Sequence, residues 1–231
     1  MLEISRIQAI TLDLDDTLWP IWPTIAVAEL RLQNWLSAQA PATAVLFRNP
    51  QLRHVLREQV AAAWPQRHHD LSFMRREMIR HGLLACGEDQ SLAEPAFAEF
   101  FAARQEVKLF EDSLPALESL SARWPVLALS NGNADVNRIG IGAYFCGSVS
   151  ACDAGAAKPD ARIFLAAAAK LQVPPEAILH VGDDESMDVL GALQVGMQTA
   201  WVNRSDKVWS FEQQPEISVA SMAELCCILS I

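Results

Sequence analysis

The stretch AITLDLDDTLWP begins at Ala9 as an apolar run and ends in acids, with Asp13, Asp15 and Asp16 crowded behind Ile10 and Leu12. Ionised carboxylates repel one another and burial penalises each of them, so the cluster calls for a cation. Later apolar runs also end in polar groups: Ser130 and Asn131 in LSNGN, Lys158 in GAAKPD, and Asp183, Asp184 and Asp188 in VGDDESMD. Together these residue types suit phosphoryl transfer. A carboxylate can attack phosphorus and form an aspartyl-phosphate, which splits one hard step into two easier ones. Carboxylates and a phosphate dianion repel, so a hard divalent cation must bridge them, and Mg²⁺ suits oxygen ligands. A Lys ammonium, a Ser hydroxyl and strand-end N–H groups can then hold the phosphoryl oxygens as charge spreads over them.

Spacing supports a shared site. Asp13 and Asp15 are two residues apart, so near a strand end both can face the same side while Leu14 turns into the core. Pro159 restricts Lys158 to an extended backbone, which fixes where its side chain starts. Asp183 follows Gly182 directly after an apolar run, and Asp188 lies about one helical turn further on.

The elements that must position these groups read as alternating strand and helix. Near-continuous apolar runs at 7–14, 125–129, around 148–151, 178–181 and 199–202 suit parallel strands covered on both faces. Helical patterns LPALESLSARW, DARIFLAAAAKLQV and SMDVLGALQVG separate the later runs, the last with Gly196 as its stop. This alternation predicts an α/β fold, a doubly wound parallel Rossmann-like sheet. The interval from about Leu18 to Gln105 has no convincing strand. Four helical patterns fill it: TIAVAELRLQNWLSAQ, LRHVLREQVAAAW, LSFMRREMIRHGL and AFAEFFAARQEV. We read an inserted all-α cap domain over 18–105 and a catalytic core made of 1–17 and 106–231. Ligands in open α/β sheets bind at the carboxyl ends of strands, where the acids, Ser130, Asn131 and Lys158 fall.

Composition narrows the function classes. The chain has 231 residues, 51% hydrophobic and 20% charged, enough for a sizeable core. Its net charge of −10 disfavours nucleic acid as a partner but not a small phosphorylated metabolite held locally. The cysteine count is odd, at 5, and no CxxC pair occurs, which predicts reduced thiols packed mostly as small hydrophobes in a cytoplasmic protein. No apolar run has transmembrane length, and the N-terminus does not read as a signal peptide. Seven Trp and the apolar ending CCILSI leave monomer and homodimer both open.

DLDDT, SNGN, AKPD and GDDESMD occur in order at these strand ends, and with them the chain resembles hydrolases of the haloacid dehalogenase superfamily over essentially its whole length. The resemblance implies a helical cap between the first and second motifs. It implies Asp13 as nucleophile and Asp15 as general acid/base. Asp13, the Asp15 carbonyl and Asp183 would bind Mg²⁺; Ser130 and Lys158 would bind phosphate. Thr17 would support the loop, with Asn131 beside the phosphate, and Asp188 would act indirectly, orienting Lys158 or a metal-bound water. Asp15 and Thr17 point to the phosphatase branch, because the metal-free dehalogenase branch lacks an acid two residues after the nucleophile. Within that branch SNGNA, KLQVPPEAILHVGDD, VGMQTAWV and the HHD segment resemble bacterial phosphatases acting on flavin mononucleotide or on the phosphorylated ribitylaminouracil of riboflavin biosynthesis. LWPIWP departs from that group, where polar residues are common.

The remaining candidates have plainer readings beside functional ones. Asp16 and Asp184 either cap helices or touch the metal shell, and Asn133 caps the helix after it. RHHD at 67–70 reads as a loop before a helix rather than a metal site. Arg75 and Arg76 read first as solvated helix charges; Arg76 is kept as a candidate substrate contact. Trp19 and Trp22 read as packing residues, with stacking on a planar leaving group as the alternative. A sugar phosphomutase or a non-catalytic phosphate-binding regulatory protein are the competing functions, the second disfavoured by the presence of Asp13, Asp15 and Lys158.

Overall fold

The computed structural model describes residues 2–231. Six strands form one parallel sheet in the order β3-β2-β1-β4-β5-β6: β1 Ala9–Leu12, β2 Val126–Ser130, β3 Gly147–Ser150, β4 Ile178–Gly182, β5 Gln198–Val202 and β6 Ile217–Val219. Every residue of β1, β2, β4 and β5 is buried, which is why their sequences read as near-continuous apolar runs. The order reverses at β1, which pairs β2 on one side and β4 on the other. Leu12 is level with both Ala128 and Val181, so Asp13, Ser130 and Asp183 all emerge at the carboxyl edge beside this switch point.

Two compact units are present, Met1–Pro20 with Lys108–Ile231, and Ile21–Val107. The second is all helix: α1 Ile21–Gln39, α2 Pro41–Arg48, α3 Pro50–Ala63, α4 Leu71–Ala85 and α5 Ala93–Arg104. Ala28, Leu32 and Leu36 form one stripe of α1 and pack in a core with Phe47, Leu56, Ile79, Leu83 and Phe100. Four helices were expected here and five are present. Pro41 and Pro50 sit at the first turns of α2 and α3, where proline is tolerated, so they start helices rather than break one. Asn49 closes the gap by accepting from the N–H groups of Gln51 and Leu52.

In the sheet unit, α6 Ser113–Arg123, α7 Val136–Ile139, α8 Ala151–Ala154, α9 Ala161–Leu171, α10 Gly191–Gln194 and α11 Met222–Leu229 complete the fold. Other expectations need correction. The cap of α7 is Asp135, which accepts from Asn137 and Arg138 N–H, rather than Asn133. The helix expected from Ser186 begins as a π-helical turn, Glu185–Leu190, before α10. β6 and α11 lay outside the expected elements. The first strand is shorter than expected because a turn and a short 3₁₀ segment bound it. Cysteine is not mostly packed: Cys226 is buried, Cys86 half-buried, and Cys146, Cys152 and Cys227 are exposed, all as free thiols. Among the described residues no helix is long and apolar enough to cross a membrane.

Candidate active site

Lys158 is the hub. Asn131, one residue past β2, grips its backbone at two points: Lys158 N–H donates to Asn131 Oδ1 (2.6 Å) and Asn131 Nδ2 donates to Lys158 O (3.0 Å). The amide of Asn131 therefore positions Lys158 rather than being spare for phosphate. The side chain of Lys158 is buried, and its ammonium donates to Asp13 Oδ1 (2.5 Å), Asp188 Oδ1 (2.5 Å) and the Leu129 carbonyl (3.0 Å). Three donors thus meet three acceptors.

Asp188 is held from every side. His180 Nε2 lies 3.1 Å from its Oδ1, and the Asp184 N–H donates to its Oδ2 (3.0 Å). Gly182 makes room: a Cβ there would collide with the Asp188 carboxyl. Asp184 is a cap, accepting from Ser186 and Met187 N–H. Asp13 receives the Thr17 hydroxyl on Oδ2 (3.1 Å), and the same hydroxyl lies 3.5 Å from Asp183 Oδ1. Asp15 Oδ1 accepts from Trp19 Nε1 (2.8 Å). Trp19 is fully buried, as the packing reading expected, whereas Trp22 is 76% exposed and contradicts it. Asp16 takes a left-handed backbone (φ 60°) to close the turn, with its N–H on the Trp19 carbonyl (2.7 Å). Ser130 is buried and its Oγ accepts from Gly132 N–H (2.9 Å).

Burial would lower the pKa of Lys158, but the Asp13 and Asp188 carboxylates outweigh it and hold the ammonium above its ordinary range. Burial opposes ionisation of Asp188 too, yet Lys158 and His180 keep it well below the usual carboxylate range. Burial lowers His180, keeping its ring neutral against Asp188. Asp13 is pushed up by burial, with Lys158 opposing and Asp188 and Asp183 adding. Burial and the charges of Asp188 and Asp16 push Asp183 up to about 7, with Lys207 opposing.

Asp13, Asp183 and Asp188 each offer an oxygen, and these lie within 4.8 Å of one another. Two of the three carboxylates resist ionisation as they stand. An all-oxygen donor set short of positive charge fits a hard divalent cation. Asp13 and Asp188 each accept hydrogen bonds on both carboxylate oxygens, whereas among the described residues Asp183 is met only by the Thr17 hydroxyl at 3.5 Å, so Asp183 is the least encumbered oxygen donor of the three.

Several supports escaped the sequence reading. Arg204 donates from Nε and Nη2 to the Thr17 carbonyl (3.2 and 3.0 Å) and pairs with Asp112 (3.0 Å). Trp201 Nε1 donates to the Asp183 carbonyl (2.8 Å). His180 was hidden inside the apolar run of β4, although a histidine flanked by Leu179 and Val181 and followed by GDD was a usable signal. Arg76 belongs to the helical unit, where its guanidinium lies 3.6 Å from Glu94 and over the Phe97 ring. Arg67 pairs with Asp70, which caps α4 through the Phe73 N–H, so RHHD is a helix start.

The model of haloacid dehalogenase-like hydrolases matches residues 7–196. The chain belongs to this family. Its relatives divide between two chemistries. It is 32% identical over 234 residues to the 5-amino-6-(5-phospho-D-ribitylamino)uracil phosphatase YigB of Escherichia coli, covering 98% of each chain. It is 29% identical to a phosphoserine phosphatase of Thermus thermophilus over 65% of this chain and 63% of that one. The structure of a protein titled 2-haloacid dehalogenase from Pseudomonas syringae superposes with a TM-score of 0.93 at 35% identity, over 97% of this chain and 98% of that one. The doubly wound α/β fold is that of the haloacid dehalogenase-like family, and the chain is a hydrolase.

Proposed function

We propose that this hydrolase is a Mg²⁺-dependent phosphomonoesterase acting on a small phosphorylated metabolite, with a phosphorylated ribitylaminouracil as the first candidate and flavin mononucleotide as the second. The observation that carries it is the buried ion-pair chain Asp13–Lys158–Asp188 beside Asp183, with a further acid, Asp15, two residues from Asp13. Asp13, the Asp15 carbonyl and Asp183 would hold Mg²⁺, which when bound offsets the charge of carboxylates and phosphoryl oxygens. Asp13 attacks phosphorus and becomes the phosphorylated carboxyl. Asp15 gives its proton to the leaving oxygen and then takes one from the water that cleaves the acyl phosphate, as reversibility requires. Lys158, through the donor now on Asp13 Oδ1 that is freed when that carboxylate attacks, and Ser130 hold phosphoryl oxygens. Thr17 keeps the Asp13 carboxyl turned to the site, and Asn131 and Asp188 fix Lys158. The match to YigB at 98% coverage supports the substrate class.

Dehalogenation is the second reading, favoured by the likeness to the Pseudomonas syringae protein. Asp15 speaks against it, because an acid two residues from the nucleophile serves a leaving group that needs a proton, and a halide needs none. Phosphate release should be measured with and without Mg²⁺ on the two candidates, phosphoserine and sugar phosphates, beside halide release from 2-chloropropionate. Mg²⁺-dependent phosphate release that vanishes in Asp13→Asn is expected. Halide release without metal, and no phosphate release, would replace the proposal with the dehalogenase reading.

A further inference from the structure

Asn203, one residue past β5, repeats what Asn131 does one residue past β2. Asn203 Oδ1 accepts from Lys207 N–H (2.9 Å), and Asn203 Nδ2 donates to the Lys207 carbonyl (2.9 Å). Two strand ends thus present a lysine whose backbone is clamped by an asparagine amide. The first lysine, Lys158, is buried and fully paired. The second, Lys207, is exposed, and among the described residues no acid pairs with it. The loop carrying it is fastened elsewhere too. Trp209 stacks edge-on against Trp201 (5.1 Å between centroids), and Ser210 donates twice to the Glu185 carboxylate (3.2 and 3.0 Å). An exposed cation on a loop held at three places, with no direct ion pair among the described residues, keeps its donors available to a ligand.

Lys207 lines a pocket of about 170 Å³ with Asp16, Phe110, Asp183, Asn203, Arg204 and others. A water takes about 30 Å³, so the space suits a multi-atom group. One wall is Asp183, whose carboxylate oxygen lies within 4.8 Å of an Asp13 oxygen, so the pocket adjoins the reacting centre. The charges choose the occupant. Arg204 is spent on Asp112 and the Thr17 carbonyl, which leaves Lys207 facing Asp16 and Asp183. With Asp183 turned to the cation, Asp16 remains opposite Lys207 and balances its charge, so a second full anion is not called for. A neutral group rich in hydroxyls can accept from the ammonium and donate to a carboxylate.

We infer that this pocket is a subsite for a neutral polyhydroxyl part of the leaving group, with Lys207 as a specificity-determining residue. The inference rests on the phosphomonoesterase reading and adds to it the side from which the leaving group is held. The ammonium supplies up to three donors to hydroxyl oxygens, and the Asn203 clamp fixes where its side chain starts.

The test compares ribitol 5-phosphate with phenyl phosphate, whose leaving group has no further oxygen, in wild type, Lys207→Met and Lys207→Arg with Mg²⁺. The ratio of kcat/KM for ribitol 5-phosphate over phenyl phosphate should fall at least tenfold in Lys207→Met, mainly through KM, and recover in Lys207→Arg. An unchanged ratio overturns the inference. So does an equal fall in kcat for both substrates, which would mean that Lys207 acts only through Asp183. If wild type hydrolyses neither ester, the phosphatase reading fails separately. Calorimetry with ribitol then decides the subsite: binding weakened at least tenfold in Lys207→Met upholds it, and equal or absent binding overturns it.

Discussion

Gly182 and Asp188 interlock: the carboxyl of Asp188 occupies the space that a Cβ at position 182 would need. The last residue of β4 is thereby bound to glycine by a side chain, not by backbone conformation. Gly182→Ala should displace Asp188, loosen Lys158 and lower kcat by about 100-fold. Overpacking of this kind costs roughly 1–3 kcal/mol, readable by urea denaturation. Wild-type activity with wild-type stability would mean that the contact relaxes freely.

Asp188→Asn removes one of the two carboxylates that hold the buried ammonium of Lys158. Breaking a buried pair on one side costs about 3–5 kcal/mol. The charge on Asp188 also makes stability depend on acid. Its folded pKa lies below the unfolded value, so its contribution is present above the ordinary carboxylate range near 4 and is lost as pH falls below it. The variant should therefore show a flatter loss of stability between pH 4 and about 2, followed by thermal denaturation.

Asp183 acts in the opposite sense. Its folded pKa, pushed up to about 7, lies above the unfolded value, so the metal-free protein loses stability as pH rises from about 4 through 7. The loss should be on the order of 4 kcal/mol. Saturating Mg²⁺ should abolish it, because the cation favours the ionised carboxylate. Calorimetry at pH 6 in buffers of different ionisation heat should find protons released on Mg²⁺ binding. Binding that is indifferent to pH would remove Asp183 from the ligand set.

Arg204→Ala should weaken both metal affinity and turnover, since Arg204 grips the Thr17 carbonyl and the Thr17 hydroxyl touches Asp13 and Asp183. The expected signature is a half-saturating Mg²⁺ concentration raised about tenfold, with partial rescue by added guanidinium ion. A variant that only unfolds more easily would keep the metal requirement of wild type.

Asp15→Asn separates the two proton transfers from the attack by Asp13. General acid/base groups contribute about 10²–10⁴-fold, so turnover should fall by that factor while Mg²⁺ binding persists. A good leaving group such as p-nitrophenolate, which needs no proton, should lose less than an alkyl ester. Equal losses on both would assign Asp15 a structural part through its bond to Trp19.

The sheet was legible because four of its strands are buried on both faces, and near-continuous apolar runs admit few other readings. The candidate site was legible because Asp13, Ser130 and Asp183 fall at the ends of such runs, and because Pro159 and the neighbouring motif marked Lys158 in the loop after α8. What stayed hidden is instructive. Pro41 and Pro50 mask α2 by looking like breaks. Ser221 and Glu224 form a capping pattern that announces α11, since Glu224 N–H donates to Ser221 Oγ (3.1 Å) and Ala220 N–H to the Glu224 carboxylate (2.7 Å). Arg204 and Asp112 are far apart in sequence, and no local pattern foretells that one carbonyl, on Thr17, would need them. Asn131 looked like a ligand residue because side-chain type says nothing of a partner's backbone.

The insertion between β1 and β2 also bears on how the chain is made. Ile10 pairs with Val126 and Leu179, so the strand that leads into Asp13 leaves the ribosome long before either neighbour exists. The helices of 21–107 gather contacts that are closer in sequence and can condense during that wait, shortening the effective loop that the first strand must close. Nascent chains halted before β2 should thus carry an ordered helical body and an unpaired, apolar first strand. That intermediate, more than the finished enzyme, is where this sequence is exposed to aggregation and to chaperones.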